Sequence, residues 1–210
     1  MGGEARAALR PFGVRSEANL NLVGLLLAAG SASRFGSDKL RHELPHGVSI
    51  AVQSARHLKL EVPRVVAVVK PDSELRNVLQ AEGCEVVACE NAAEGMGASL
   101  ACAARAAGEA DGYLIALADM PFLRPTTIAA VREALVAGAP LAAPYFRARR
   151  GHPVGLSRRF FPQLLALRGD EGAKRVIAAN EKQMVKIPVG DPGALRDIDR
   201  PEDLAPPLRI

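Results

Sequence analysis

Short aliphatic and β-branched runs alternate with stretches of helical periodicity from residue 22 almost to the end of the chain, and this alternation constrains the fold more than any other feature. The runs are Leu22–Ala28, Arg64–Val69, Glu85–Ala88, Tyr113–Ala118, Leu141–Ala143 and Gln183–Ile187. The helical stretches are Ser49–Lys59, Asp72–Glu82, Ala98–Ala107, Thr126–Ala137, Ser157–Leu167 and Gly172–Asn180. Strands that are apolar on both faces need cover on both faces, and helix-length connections supply it. The pattern predicts an α/β fold of three layers, with a mostly parallel central sheet between two layers of helices. Pro71 fits the first turn of one helix, and Gly83 the residue beyond its end.

With 210 residues, 49% of them hydrophobic and 24% charged, the chain is sized for one core. Residues 1–20 hold Gly2, Gly3, Pro11 and Gly13 without a sustained period, which predicts a poorly ordered extension ahead of a single domain over residues 21–210. The longest apolar run, Leu22–Gly30, is far shorter than the ~20 residues of a membrane-spanning helix, so no membrane partner is expected. Only 4% of residues are aromatic and there is no Trp, so the stacking platforms of single-strand binders are missing and no nucleic acid is expected.

The formal net charge is +4, yet Arg147, Arg149, Arg150, Arg158 and Arg159 contribute +5 with no carboxylate between them, which leaves −1 for the rest. That reads as one local basic patch, suited to a phosphorylated small molecule or to a solvated face. Cys84, Cys89 and Cys102 make an odd count at low density, which favours a reducing compartment and a cytoplasmic location. Arg6, Arg10 and Arg15 before the apolar run, with Gly30-Ser31-Ala32 after it, also fit the outline of a signal peptide. Cleavage there would remove the first strand and half of the loop that follows, which argues against it.

That loop runs from Ala29 through Gly30, Ser31, Ala32, Ser33, Arg34, Phe35, Gly36 and Ser37 to Asp38 and Lys39. Ligands of α/β sheets collect at the carboxyl ends of strands, and small residues there let backbone N–H groups approach phosphate oxygens. Arg34 and Lys39 add neutralising charge. The spacing fits neither a Walker A loop, which needs adjacent Gly-Lys-Ser/Thr, nor a dinucleotide fingerprint, which needs glycine where Ala32 stands. His42-Glu43-Leu44-Pro45-His46 has the letters of a zinc-protease helix, but Pro45 breaks the helix that would align the histidines.

The apolar strand Tyr113–Ala118 ends in Asp119-Met120-Pro121, a carboxylate held by a stiff turn and well placed for a phosphate-borne Mg²⁺. A second acidic group, Asp197-Ile198-Asp199-Arg200-Pro201-Glu202-Asp203, follows the last strand. Asp199 reads equally as a second metal ligand or as the N-cap of a helical turn starting at Pro201.

Leu27-Ala28-Ala29-Gly30 through Arg34, Gly36 and Lys39, then Glu94–Leu100, Ala118-Asp119-Met120-Pro121, Arg150–Gly155, Gly169–Ala173 and Asp197–Leu204 together resemble the MobA-like NTP transferases, with the molybdenum cofactor cytidylyltransferases as the closest branch. The resemblance spans Leu22 to Leu204 in the family's order. It implies a three-layer Rossmann-like sheet of the nucleotide-diphospho-sugar transferase type. It also implies a nucleotide site at Ala28, Ala29, Gly30, Ser31, Ser33 and Gly36, with Gly95, Met96 and Ser99 against the base. Lys39, Arg34 and Asp119 take the catalytic roles, Asp119 and Asp199 hold Mg²⁺, and Arg150, His152 and Asp170 border the acceptor. Phe35, Lys174 and the polar Arg41–His46 stretch depart from the family pattern.

The expected reaction is transfer of CMP from CTP to the phosphate of molybdopterin or its molybdenum-loaded form, with release of pyrophosphate. Ala29 implies CTP over GTP, because guanylyl-transferring relatives usually carry Gly-Gly there. A molybdoenzyme or its chaperone would be a further partner. Two alternatives remain open at this stage: a nucleotidyltransferase with another phosphorylated acceptor or a GTP donor, and a non-enzymatic accessory protein that binds a phosphorylated cofactor.

Overall fold

The computed structural model describes residues 20–30 and 39–205. The expectation for residues 1–19, and the roles given to Ser31, Ser33, Arg34 and Gly36, lie outside the described residues. Among the described residues eight strands form one sheet: β1 (Leu22–Leu27), β2 (Arg64–Val69), β3 (Glu85–Ala88), β4 (Gly112–Leu117), β5 (Leu141–Phe146), β6 (Arg149–Arg150), β7 (Val154–Ser157) and β8 (Met184–Pro188). Their spatial order is β3-β2-β1-β4-β7-β5-β6, and β8 pairs with β5. The pairs β1–β2, β1–β4, β2–β3 and β5–β8 are parallel. Only β6 and β7 run against their neighbours.

Alternation along β1 shows how the layers arise. Leu22, Leu26 and Ala28 turn to one side of the sheet and Val23, Leu25 and Ala29 to the other, and all six are buried. The first side is covered by α1 (Ile50–Glu61), α2 (Leu75–Ala81) and α4 (Pro125–Val136) through Ile50, Leu58, Leu79, Ile128 and Val131. The second is covered by α3 (Met96–Ala107), α5 (Phe161–Leu165) and α6 (Lys174–Ala179) through Leu100, Ala103, Leu164 and Ile177. Burying each such aliphatic side chain contributes ~1.5–3 kcal/mol, so the two faces of the sheet supply most of the driving force. The expected three-layer α/β architecture with a mostly parallel sheet is the observed one.

Local differences have physical causes. Helix α2 begins at Leu75 and not near Asp72, because Ser73 N–H donates to the Lys70 carbonyl and Ser73 Oγ accepts from Leu75 N–H, which makes a turn of that stretch. The helix expected over Ser157–Leu167 is reduced to α5 and a preceding 3₁₀ turn, and Val154–Ser157 is strand β7. Those four residues fill the gap between β4 and β5 and pair with both.

This strand also corrects the expectation of one basic patch. Ile115 pairs with Val154 and Gly112 with Ser157, so β7 carries the chain from the carboxyl edge of β4 back to its amino edge. Arg149 and Arg150 stand before the crossing; Arg158 and Arg159 stand after it, where Arg158 pairs with Glu109 and Arg159 bonds Gln183. The five arginines belong to two ends of the sheet.

Tyr113 is fully buried in β4, stacked on Phe161 at 5.7 Å between ring centres. Its hydroxyl donates to the Gly108 carbonyl at 2.7 Å and accepts from Ala110 N–H at 3.0 Å, closing the turn between α3 and β4. Tyr113→Phe leaves both backbone groups unpaired and should cost ~1–3 kcal/mol, read as a lower urea midpoint at unchanged slope. An unchanged midpoint would show that water serves those groups equally well.

Candidate active site

Asp119 follows β4 directly, and its neighbour Ala118 still bonds across the sheet, N–H to the Leu27 carbonyl at 3.1 Å. The carboxylate is thereby held at the carboxyl edge, beside the end of β1. Lys39, in the 3₁₀ turn Lys39–Arg41, reaches the same point with a side chain only 9% exposed. Its Nζ lies 2.9 Å from Asp119 Oδ2 and 2.9 Å from Asp199 Oδ1. One ammonium thus joins three parts of the chain that are distant in sequence.

The two readings of Asp199 separate here. The 3₁₀ turn Pro201–Leu204 is capped by Asp203, whose Oδ2 accepts from Asp199 N–H at 3.0 Å and Arg200 N–H at 2.9 Å. The Asp199 carboxylate is spared for Lys39. Asp197 points into the same cluster, and oxygens of Asp119, Asp197 and Asp199 all lie within 4.8 Å of one another. In the sequence Asp197 stands out only as part of an acidic run. Its spacing of two from Asp199 was the available signal, because an extended segment sends alternate residues to one side.

Among the described residues, charge in this cluster is under-compensated. Burial pushes the Asp119 carboxyl above its ordinary range, against the attraction and hydrogen bond of Lys39, and the Asp197 charge pushes it further. Burial alone would lower Lys39, but the Asp119 and Asp199 carboxylates outweigh it and raise the ammonium above its usual value. Among the described residues Asp119 Oδ1 is buried without a hydrogen-bond partner. An orphaned carboxylate oxygen, two more acids within reach and hard oxygen donors throughout fit a divalent cation such as Mg²⁺ or Mn²⁺.

Beside the cluster lies a cleft of about 470 Å³ lined by Leu27, Ala29, Gly30, Lys70, Ala92 and Ala93, with Gly95, Met96, Ser99, Leu117, Asp119 and Asp170 completing it. It occupies the carboxyl ends of β1 to β4, the expected place in an open parallel sheet. Ala28, expected at the nucleotide, is buried on the other side of the sheet from Ala29 and does not line the cleft. Ser99 Oγ donates to the Gly95 carbonyl at 3.3 Å in the first turn of α3. Gly95 has φ of 120°, and a Cβ there would fall 1.9 Å from Asp170 Oδ1. Gly97 N–H donates to the Gly169 carbonyl at 2.6 Å, so the 168–172 loop is clamped on the start of α3.

The structure therefore brings Ala29, Gly30, Gly95, Met96, Ser99, Asp119 and Asp170 to one cleft, and sets Lys39 and Asp199 at its acidic end. Asp170 sits over Gly95 and apart from the other residues expected at the acceptor. Arg150 is exposed on β6, opposite Tyr145. His152 follows it, its N–H donating to the Ala194 carbonyl at 2.9 Å. Burial lowers the His152 imidazole below its usual range, which the Ile115 carbonyl and the Asp197 charge only partly oppose. Lys70, Ala92 and Ala93 went unrecognised in the sequence, although each follows the carboxyl end of β2 or β3.

The MobA-like NTP transferase domain model matches residues 24–185. Purine catabolism protein PucB of Bacillus subtilis (strain 168) is 31% identical over 196 residues, covering 87% of this chain and 93% of that protein. The manganese complex of Rv0371c from Mycobacterium tuberculosis H37Rv superposes with a TM-score of 0.70 at 21% identity, over 87% of this chain and 95% of that one. Molybdopterin-guanine dinucleotide biosynthesis protein A from Archaeoglobus fulgidus gives a TM-score of 0.61 at 18% identity, over 87% and 94%. Among the described residues no helix is long and apolar enough to cross a membrane.

In the nucleotide-free protein Lys39 competes with any cation for Asp119 and Asp199. Lys39→Ala should bind Mn²⁺ several-fold more tightly by titration calorimetry, whereas Asp119→Asn should bind it at least tenfold more weakly. Weaker binding by Lys39→Ala would mean that the ammonium is needed to keep the carboxylates together.

Proposed function

We propose, since the chain belongs to the family of MobA-like NTP transferase domains and is a nucleotidyltransferase, that it transfers CMP from CTP to the phosphate of molybdopterin or its molybdenum-loaded form. The observation that carries the reading is the cluster of Lys39, Asp119, Asp197 and Asp199 at the mouth of a cleft floored by Ala29 and Gly30. Mg²⁺ is the cation proposed for the three carboxylates. When bound it supplies positive charge to phosphate oxygens and stabilises the charge that builds up in transfer.

The chain's own residues handle position and charge. Gly30 is exposed, with open space where a side chain would stand, so the triphosphate is placed against the backbone there, and Lys39 is the cation assigned to it. The base occupies the less charged end, against Ala92, Ala93, Met96 and Ser99. An acceptor phosphate oxygen attacks the α-phosphorus from the side of Arg150 and His152. The new P–O bond forms as the bond to the β-phosphate oxygen breaks, and pyrophosphate leaves with the bonding electrons while Lys39 neutralises it. Both reactants are anions, so charge neutralisation and alignment carry the rate and no protein nucleophile enters. The resemblance of the Ala28-Ala29-Gly30 loop to cytidylyl-transferring relatives supports CTP, and the likeness to the archaeal guanine dinucleotide protein favours GTP as the second reading.

A pyrophosphate-release screen of four NTPs with molybdopterin tests the proposal. CTP should support turnover and the other three should not. In the absence of acceptor, Mg-CTP at ~100 times its dissociation constant should stabilise the fold by ~2.7 kcal/mol, a rise in Tm of roughly 5–10 °C. Turnover with GTP alone would move the assignment to a guanylyltransferase, and release only with another phosphorylated acceptor would overturn molybdopterin.

A further inference from the structure

Asp197 and Asp199 reach Asp119 on a segment whose regular structure between β8 and Pro201 is a single 3₁₀ turn, Pro192–Leu195. Its course is nevertheless tightly defined. A Cβ on Gly193 would lie 2.1 Å from the Phe122 carbonyl oxygen, and one on Gly151 would lie 2.3 Å from that of Ala194. Ala194 accepts from His152 N–H, and Ile198 N–H donates to the Asp119 carbonyl at 2.9 Å. Ala194 and Ile198 have no exposed surface. The segment is threaded between the turn after β4 and the turn before β7.

One side chain fastens its start. Asp191 is 3% exposed, and its two oxygens take three short hydrogen bonds. Oδ1 accepts from Gly193 N–H at 2.9 Å; Oδ2 accepts from Arg124 N–H at 3.0 Å and from Thr127 Oγ1 at 2.7 Å. The Arg124 guanidinium lies 3.7 Å from Oδ1. Arg124 and Thr127 belong to the N-terminal end of α4, where a carboxylate is favoured by the exposed N–H groups and the helix dipole. Asp191 touches neither the acidic cluster nor the cleft.

We infer that Asp191 is a positioning residue for the divalent-cation site: by tying Gly193 to the first turn of α4 it fixes where Asp197 and Asp199 stand relative to Asp119. The inference rests on the metal reading of the acidic cluster. A carboxylate suits the task because all three partners donate and each oxygen only accepts. An amide in its place keeps one acceptor for Gly193 and turns an N–H₂ donor toward Arg124 N–H, so Asp191→Asn loosens the tie at nearly constant volume. Thr127→Val removes one of the three bonds and leaves the carboxylate in place. Groups that orient metal ligands from behind commonly change affinity by ~10–100-fold when altered.

The test is Mn²⁺ binding to the nucleotide-free full chain, with free Mn²⁺ counted by electron paramagnetic resonance well below each variant's Tm. Asp191→Asn should weaken binding about tenfold, and Thr127→Val a few-fold in the same direction. Tyr113→Phe, which loses stability far from this segment, should bind as the unaltered chain does. Should Asp191→Asn not fold, the graded effect of Thr127→Val carries the test. Equal affinities in the unaltered chain and the Asp191 and Thr127 variants would overturn the positioning role and make Asp191 a purely structural clamp. Absence of Mn²⁺ binding by the unaltered chain would instead sink the metal reading itself, and this inference with it.

Discussion

The Lys39 ammonium, shared between Asp119 and Asp199, is the contact at which the separate parts of the candidate site meet. Each partner is anchored by a different kind of structure: Asp119 by the sheet, Asp199 by the turn that Asp203 caps, and Lys39 by a short 3₁₀ turn next to buried Leu40. Holding three carboxylates together in a half-buried place is costly unless cations compensate. Among the described residues a single ammonium compensates only part of that charge, and the remainder is what suits the cluster to the divalent cation proposed for it.

The sheet explains why this contact forms where it does. Parallel strands β1 to β4 deliver their carboxyl ends to one edge, so the residues that follow them converge without any long-range search. The segments from farther along the chain arrive differently. Residues 168–172 are irregular and 191–199 hold a single 3₁₀ turn, and each stretch is held against the edge by close backbone approach: Gly169 on Gly97, Ala194 on His152, Ile198 on Asp119. The rigid half of the site comes from strand ends, and the fitted half from loops that the first half templates.

This division also decides what could be read from the amino-acid sequence. Boundaries of β2 and β3 were legible to the residue, because continuous apolar runs bounded by Pro63, Lys70 and Gly83 leave few other options. So was Asp119 as the polar end of an apolar strand. Strand β7 was not, since Val154-Gly155-Leu156-Ser157 has neither the length nor the composition of a strand and owes its conformation to β4 and β5. The same long-range pairing split the arginines that are close in sequence. Asp203 in place of Asp199 as the cap was equally hidden, because one carboxylate four residues from another has the same local credentials, and only the position of Lys39 tells them apart.

The interlock between the start of α3 and the 168–172 loop has a consequence for divergence. Gly95 and Gly97 leave no room for a side chain beneath Asp170 and the Arg168 carbonyl, so neither stretch is free to drift alone. With the base against this wall as proposed, a change of donor base that enlarges or refits it would require substitutions in both at once. Lineages of this fold should therefore switch nucleotide preference rarely, and when they do, the two stretches should carry matched replacements, although seventy positions lie between them.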